Sequence, residues 1–194
     1  MKAKLKQYLE NLYQQYQQHD EGEADRLNRW LSLEPETAAL LAVMVRSKQA
    51  KKVLEVGTSG GYSTLWLADA VRDHGGSVRT LEINKERKKT AKQHLREMKL
   101  DGYVRMEVCD AGDFLAEYQK YYDVVFLDAD RSRYAGYWPH LQRVLAKPGS
   151  LLAVDNVLSH PEECAEFLAL VAADKEFRCT TVPVGKGLFV AVRI

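Results

Sequence analysis

"VLEVGTSGGYSTLWLA" (53–68) reads as a short apolar strand, a turn carrying three glycines and the start of a helix. Gly57, Gly60 and Gly61 let the backbone turn tightly and come close to a bound molecule. A turn of this kind after a strand is where an open α/β sheet usually holds its ligand. Outward from it the chain alternates. Strand-like runs "KKVLEV" (51–56), "SVRTLEI" (77–83), "YVRMEV" (103–108), "YDVVFL" (122–127) and "SLLAV" (150–154) are separated by helical patterns at about 61–73, 85–99, 111–119 and 137–146. That rhythm predicts an α/β fold with a doubly wound, mostly parallel sheet. A helix near 161–173 follows. Then "FRCTTVPV" (177–184) and "GLFVAVRI" (187–194), joined around Gly185, predict an antiparallel pair at one side of the sheet.

Before the alternation, Leu5, Tyr8, Leu9, Leu12, Tyr13 and Tyr16 recur at helical spacing, and "HDEGEAD" (19–25) is expected to break that helix. A second helical pattern runs from about Pro35 to Lys48, with Pro35 suited to a first helical position. The expected organisation is a single domain over 1–194, with N-terminal helices in 1–50 and the α/β core in 51–194. The Tyr/Leu stripe needs a surface to cover, as a lid on the active site or between the subunits of a homodimer.

With 46% hydrophobic and 28% charged residues, the chain has globular composition. Its formal net charge of +1 gives no general pull toward nucleic acid or anionic lipid. The three cysteines, Cys109, Cys164 and Cys179, show no CxxC spacing, so neither a disulfide framework nor a zinc site is indicated and reduced, buried thiols are expected. No window approaches a membrane span, the basic start "MKAKLK" lacks an apolar continuation, and a cytoplasmic protein with no membrane partner is expected.

The glycine turn lacks GxGxxG spacing, which disfavours a pyrophosphate loop. The next strand ends at Glu82, where a carboxylate can accept both hydroxyl hydrogens of a ribose, a role shared by dinucleotide enzymes and class I S-adenosylmethionine methyltransferases. Glu55, just ahead of the glycines, tips the balance. A carboxylate facing the loop could orient the ammonium of a methionine moiety but would sit badly beside a diphosphate; the alternative is a solvated edge residue. Two further strand-like runs end in acids. "VFLDADRSRY" (125–134) brings Asp128, and "LLAVDNV" (151–157) brings Asp155 and Asn156, 27 positions on from the first aspartate. Two carboxylates and an amide oxygen suit a hard divalent ion such as Mg²⁺. Either aspartate alone could instead cap a following helix or turn.

The pattern resembles the cation-dependent O-methyltransferases, the group containing catechol O-methyltransferase, the caffeoyl-CoA O-methyltransferases and their bacterial relatives. The likeness is carried by "PETAALLAVMV", "VLEVGTSGGYST", "TLEIN", "CDAGDFL", "FLDADRSRY", "LLAVDNV" and "VPVGKGL", which together cover most of the chain. It implies a Rossmann-like class I fold in which Glu55, Gly57, Ser59, Gly61 and Ser63 surround the methionine part of S-adenosylmethionine and Glu82 holds the ribose. Asp110 and Ala111 would lie beside the adenine, although Asp110 or Cys109 could equally be plain strand-end residues. Asp128 would border the cofactor and, with Asp155 and Asn156, ligate the cation. The implied acceptor is a small aromatic or otherwise chelating hydroxyl compound.

One position departs from the resemblance. The relatives place a lysine three residues after the first metal-binding aspartate and assign it the role of general base; here it is Arg131, which stays protonated. Arg131 could stabilise the ionised acceptor or bind a substrate anion, or could be a surface arginine pairing with Asp130. His160, four residues after Asn156, is then the candidate base. Tyr134, Tyr137 and Trp138 could line an aromatic pocket, with packing expected for two of the three. Two other functions stay open. One keeps the chemistry but moves it to a hydroxylated base of transfer RNA, supported by the basic run "NKERKK" (84–89) and opposed by the near-zero net charge; the other is a non-catalytic S-adenosylmethionine-binding module.

Overall fold

The structure is a computed structural model describing all residues 1–194. Two helices, α1 (Ala3–Gly22) and α2 (Pro35–Ser47), precede the alternating unit. That unit runs β1 (Lys52–Val56), α3 (Tyr62–Arg72), β2 (Ser77–Glu82), α4 (Lys85–Glu97), β3 (Val104–Val108), α5 (Ala111–Glu117), β4 (Val124–Leu127), α6 (Tyr134–Val144), β5 (Leu151–Val154) and α7 (Pro161–Ala173). A hairpin of β6 (Phe177–Val182) and β7 (Leu188–Arg193) ends the chain. All seven strands form one sheet in the order β3-β2-β1-β4-β5-β7-β6. Neighbours are parallel from β3 to β5, and β7 alone runs against them, inserted between β5 and β6. The expected Rossmann-like α/β class with an antiparallel C-terminal strand is the observed fold.

Strands buried on both faces read as nearly continuous apolar runs rather than alternating ones. Val53, Val78, Val124 and Phe126 enter one core with Leu9, Leu12, Leu41 and Leu65, under α1 to α4. Their neighbours Leu54, Val125, Leu127 and Leu152 enter the other core with Leu115, Leu141 and Phe167, under α5 to α7. Tyr134, Tyr137 and Trp138 are all buried in this second core, so packing takes all three where two were expected.

Several local expectations shift. α1 ends at Gly22, within the stretch 19–25 expected to break it, and the acid run there is used rather than merely solvated: the Asp20 carboxylate accepts the Trp30 and Leu31 amides at 2.7 and 2.8 Å and folds the following segment back. The Tyr/Leu stripe is covered within the chain, with Leu5, Leu9, Leu12 and Tyr16 packed into the first core. α6 starts at Tyr134, three residues earlier than expected, because Asp130 caps the 3₁₀ turn Arg131–Arg133 that feeds directly into it. Cys164 is buried, but Cys179 is exposed on the edge strand β6. No helix is long and apolar enough to cross a membrane.

Candidate active site

The strand order reverses between β1 and β4: the chain passes outward through β2 and β3, then returns beside β1. The C-terminal ends of these two strands open the crevice of a doubly wound sheet. Gly57 sits there with φ +101°, and a Cβ on it would lie 2.0 Å from the Asp128 carbonyl oxygen. Only glycine lets the two strand ends approach this closely.

Glu55 is 0% exposed, which excludes a solvated edge residue. Its oxygens accept the Ser63 and Thr64 hydroxyls at 2.6 and 2.5 Å, beneath the first turn of α3, and it has no ion-pair partner. Burial pushes its carboxyl up to about 7, against the hydroxyl hydrogen bonds. Glu82, 8% exposed, gathers the loop: it accepts Ser59 N–H at 2.8 Å and the Ile83 and Asn84 amides at 2.9 Å. Ser59, with φ +46°, donates its hydroxyl to the Trp30 carbonyl at 2.6 Å. Gly61 occupies the N-cap of α3 in the left-handed region. Asp110 caps α5 through the Gly112 and Asp113 amides and pairs with Arg133 at 2.5 Å, beside the buried Ala111. A strand-end capping role is therefore present at Asp110 whatever else it contacts.

Sequence reasoning missed the brace behind this loop. Tyr16 of α1 donates to the Gly60 carbonyl at 3.1 Å and lies 2.9 Å from His94 Nε2, while Tyr8 lies 2.6 Å from His94 Nδ1. Its signal was the aromatic stripe, legible as a face though not as a partner.

On the other side of the crevice, Asp128 and Asp155 stand just past β4 and β5, their amides still held by Val56 and Leu127 carbonyls at 2.9 and 3.1 Å. Asn156 adopts φ +67°, a region asparagine tolerates, and its Nδ2 donates to Asp128 Oδ1 at 3.1 Å and Asp155 Oδ2 at 2.8 Å. The amide thus bridges the two carboxylates. Asp155 is 2% exposed and its Oδ1 is buried without a partner. Burial raises both carboxyls, and each is raised further by nearby carboxylates, Asp128 by Glu55 and Glu34 and Asp155 by Asp128 and Glu34. No group of three His, Cys, Asp or Glu side chains clusters for a metal. The donor set is two carboxylates plus one amide, a hard-oxygen set with an orphaned acceptor, and it fits a cation that keeps water in its other positions.

Arg131 does not pair with Asp130, which instead caps the 3₁₀ turn. Its side chain, 11% exposed, reaches Glu163 of α7, with Nε 2.9 Å from Oε2. His160, whose amide donates to the Asn156 carbonyl at 3.0 Å, faces Ser159 Oγ with Nδ1 at 2.9 Å. Burial and the Arg131 charge lower its imidazole pKa.

These features can be set beside known proteins. A family model described as "O-methyltransferase" matches residues 2–194. A protein named catechol O-methyltransferase from Niastella koreensis is 32% identical over 132 residues, 66% of this chain and 59% of that protein, so the chain spans less than two thirds of that relative. A caffeoyl-CoA O-methyltransferase from Stellaria longipes is 28% identical over 188 residues, covering 85% of this chain and 77% of the relative. The crystal structure of the O-methyltransferase from Bacillus cereus in complex with SAH superposes with a TM-score of 0.80 at 26% identity, over 96% of this chain and 90% of that one. On the family match along almost its whole length, the chain belongs to the O-methyltransferase family.

Proposed function

We propose that this protein transfers a methyl group from S-adenosylmethionine to a hydroxyl of a small, chelating acceptor, assisted by a divalent cation such as Mg²⁺. The observation that carries the reading is the convergence of Asp128, Asp155 and Asn156, with the buried Asp155 Oδ1 unpartnered and an amide nitrogen standing between two carboxylates. A cation there would ask the Asn156 amide to turn its oxygen inward. Glu55, a buried carboxylate without a countercharge, suits an ammonium arriving from the cleft, and Gly57, Ser59, Gly61 and Ser63 form the wall around it. Glu82 is the acceptor for ribose hydroxyls, and Asp110 with Ala111 borders the adenine end.

When bound, S-adenosylmethionine supplies a methyl on a sulfonium, and the cation supplies Lewis acidity that lowers the pKa of the acceptor hydroxyl. The chain's own contribution is orientation and exclusion of water. Strand ends β1 and β4, locked by the Gly57 approach to Asp128, hold the cofactor wall against the acceptor wall and would fix the orientation of the two bound ligands. Arg131 stays protonated and is held by Glu163, so it takes no proton. His160, whose lowered pKa favours the neutral imidazole, receives the acceptor proton and passes it to water.

Calorimetric titration tests this directly. Wild type is expected to bind S-adenosylmethionine and Mg²⁺, and an Asp128→Ala/Asp155→Ala variant to keep the cofactor and lose the cation. A wild type that binds the cofactor and no cation would end the cation-dependent reading.

A further inference from the structure

The turn joining β6 to β7 carries Gly185, Lys186 and Gly187, wedged between the loop after Asn156 and the start of α2. The Lys186 carbonyl accepts the Leu158 and Ser159 amides at 3.0 and 3.2 Å, and the Gly187 carbonyl accepts the Val157 amide at 3.1 Å. A Cβ on Gly187, at φ +93°, would lie 2.4 Å from Leu158 Cγ. One on Gly185, at φ +54°, would lie 2.4 Å from Thr37 Oγ1 and 2.9 Å from Glu34 Oε2. Glycine on both sides of Lys186 permits these approaches. The lysine backbone is thereby fixed to the segment that follows Asn156, while its Nζ reaches across to Glu34 Oε1 at 2.7 Å.

Glu34 precedes α2 in the N-cap position, yet its side chain makes no cap hydrogen bond. With one oxygen on Lys186, its Oε2 is buried and unpartnered, as is Thr37 Oγ1 beside the same point of the turn. Asp155 Oδ1 is a third buried oxygen in the same condition. Buried polar atoms are nearly always paired with protein or ordered water, so two orphans beside this turn, with a third on Asp155 ahead of the segment the turn holds, mark a place for hydrated ligand. The turn ties these groups to the aspartate side of the crevice, since its backbone holds Val157, Leu158 and Ser159, the residues directly after Asn156, while the Lys186 ammonium holds Glu34.

We propose that Glu34 is a third carboxylate of the cation site, outside the direct ligands Asp128, Asp155 and Asn156, accepting hydrogen bonds through Oε2 from water around the cation, and that Lys186 limits how tightly that site takes a divalent ion. The proposal rests on the cation reading above. A hard divalent ion keeps several of its waters, whose protons need acceptors, and Glu34 Oε2 and Thr37 Oγ1 stand available. Three carboxylates, one ammonium and one divalent ion also bring the site to neutrality. Lys186 occupies the remaining oxygen of Glu34, keeping that carboxylate out of the direct ligand set, and its charge opposes the entering cation.

Two substitutions should then act in opposite directions. In Mn²⁺ titrations of the full chain followed by electron paramagnetic resonance at one fixed pH, Glu34→Gln is expected to weaken binding about five- to tenfold and Lys186→Met to tighten it by a similar factor. S-adenosylhomocysteine titration of each variant serves as the control for an intact fold. Damage to the turn could only loosen the site, so tightening by Lys186→Met is the distinguishing result. If wild type binds Mn²⁺ and either variant keeps wild-type affinity, or Lys186→Met weakens it, the proposal is overturned and the cation reading stands. If wild type binds no Mn²⁺, both fall together.

Discussion

Glu55 is a carboxylate with no exposed surface and no basic side chain against it, held only by hydroxyls. Its carboxyl, raised from 4.5 to about 7 by burial, binds a proton in the folded state over a pH range where the unfolded chain has already released it. Folding stability from this group is therefore full below pH 4.5 and is lost as pH rises toward 7, a change of about 3 kcal/mol at most. Glu55→Gln removes the titration. Urea denaturation of wild type and variant without cofactor should show the variant gaining on wild type between pH 5 and 7.5, and parallel pH profiles would mean that Glu55 ionises normally. Glu55, Glu82, Asp128, Asp155 and Asn156 were legible in the sequence because each is polar where an apolar run ends or is interrupted. Glu34 and Lys186 were not. Neither interrupts a pattern, and their meaning comes from a contact between residues 152 positions apart that only the folded chain makes. Of the readings open for Arg131, the surface pairing with Asp130 is set aside by a partner on another helix, Glu163, while the adjacent Asp130 caps a turn.

At the scale of elements, periodicity carried the fold because the central strands are buried on both faces and leave unbroken apolar runs such as "VVFL". Boundaries failed where side chains rather than periodicity decide them. The Asp130 cap moved the start of α6 to Tyr134, whereas α1 ends at Gly22, inside the stretch expected to break it. α1 also shows what an amphipathic stripe cannot disclose, namely what it touches. Tyr16 stacks on Trp30 with ring centroids 4.8 Å apart and places its hydroxyl on the Gly60 carbonyl and beside His94, so the helix braces the outside of the glycine loop. Tyr16→Phe keeps the stack and removes the hydroxyl, leaving a loop carbonyl without its donor at a cost of about 1 kcal/mol. The expected result is S-adenosylhomocysteine affinity lowered about fivefold with Mn²⁺ affinity unchanged. Unaltered cofactor affinity would reduce α1 to a packing element.

Across the whole molecule, the reversal of strand order divides the work. On the proposed function, the cofactor wall would come from β1, β2 and β3 with the loops after them, and the cation wall from β4, β5 and the β6–β7 turn. The halves meet at the strand pair β1–β4, where Gly57 lies against the Asp128 backbone. That contact joins main chain to main chain within a continuous sheet, and each wall is tied by hydrogen bonds of its own: Glu82 gathers its amides and Asn156 bridges its aspartates. Two ligands on separately formed walls should stabilise the protein independently. Each, at one hundred times its dissociation constant, should add about 2.7 kcal/mol, and both together should give the sum to within about 0.5 kcal/mol. Chemical denaturation with S-adenosylhomocysteine, with Mg²⁺, with both and with neither completes the cycle. A coupling of more than 1 kcal/mol would show instead that one wall is ordered by the other's ligand, and would place the coupling at the Gly57–Asp128 contact, the point where a shift on one side must be felt by the other.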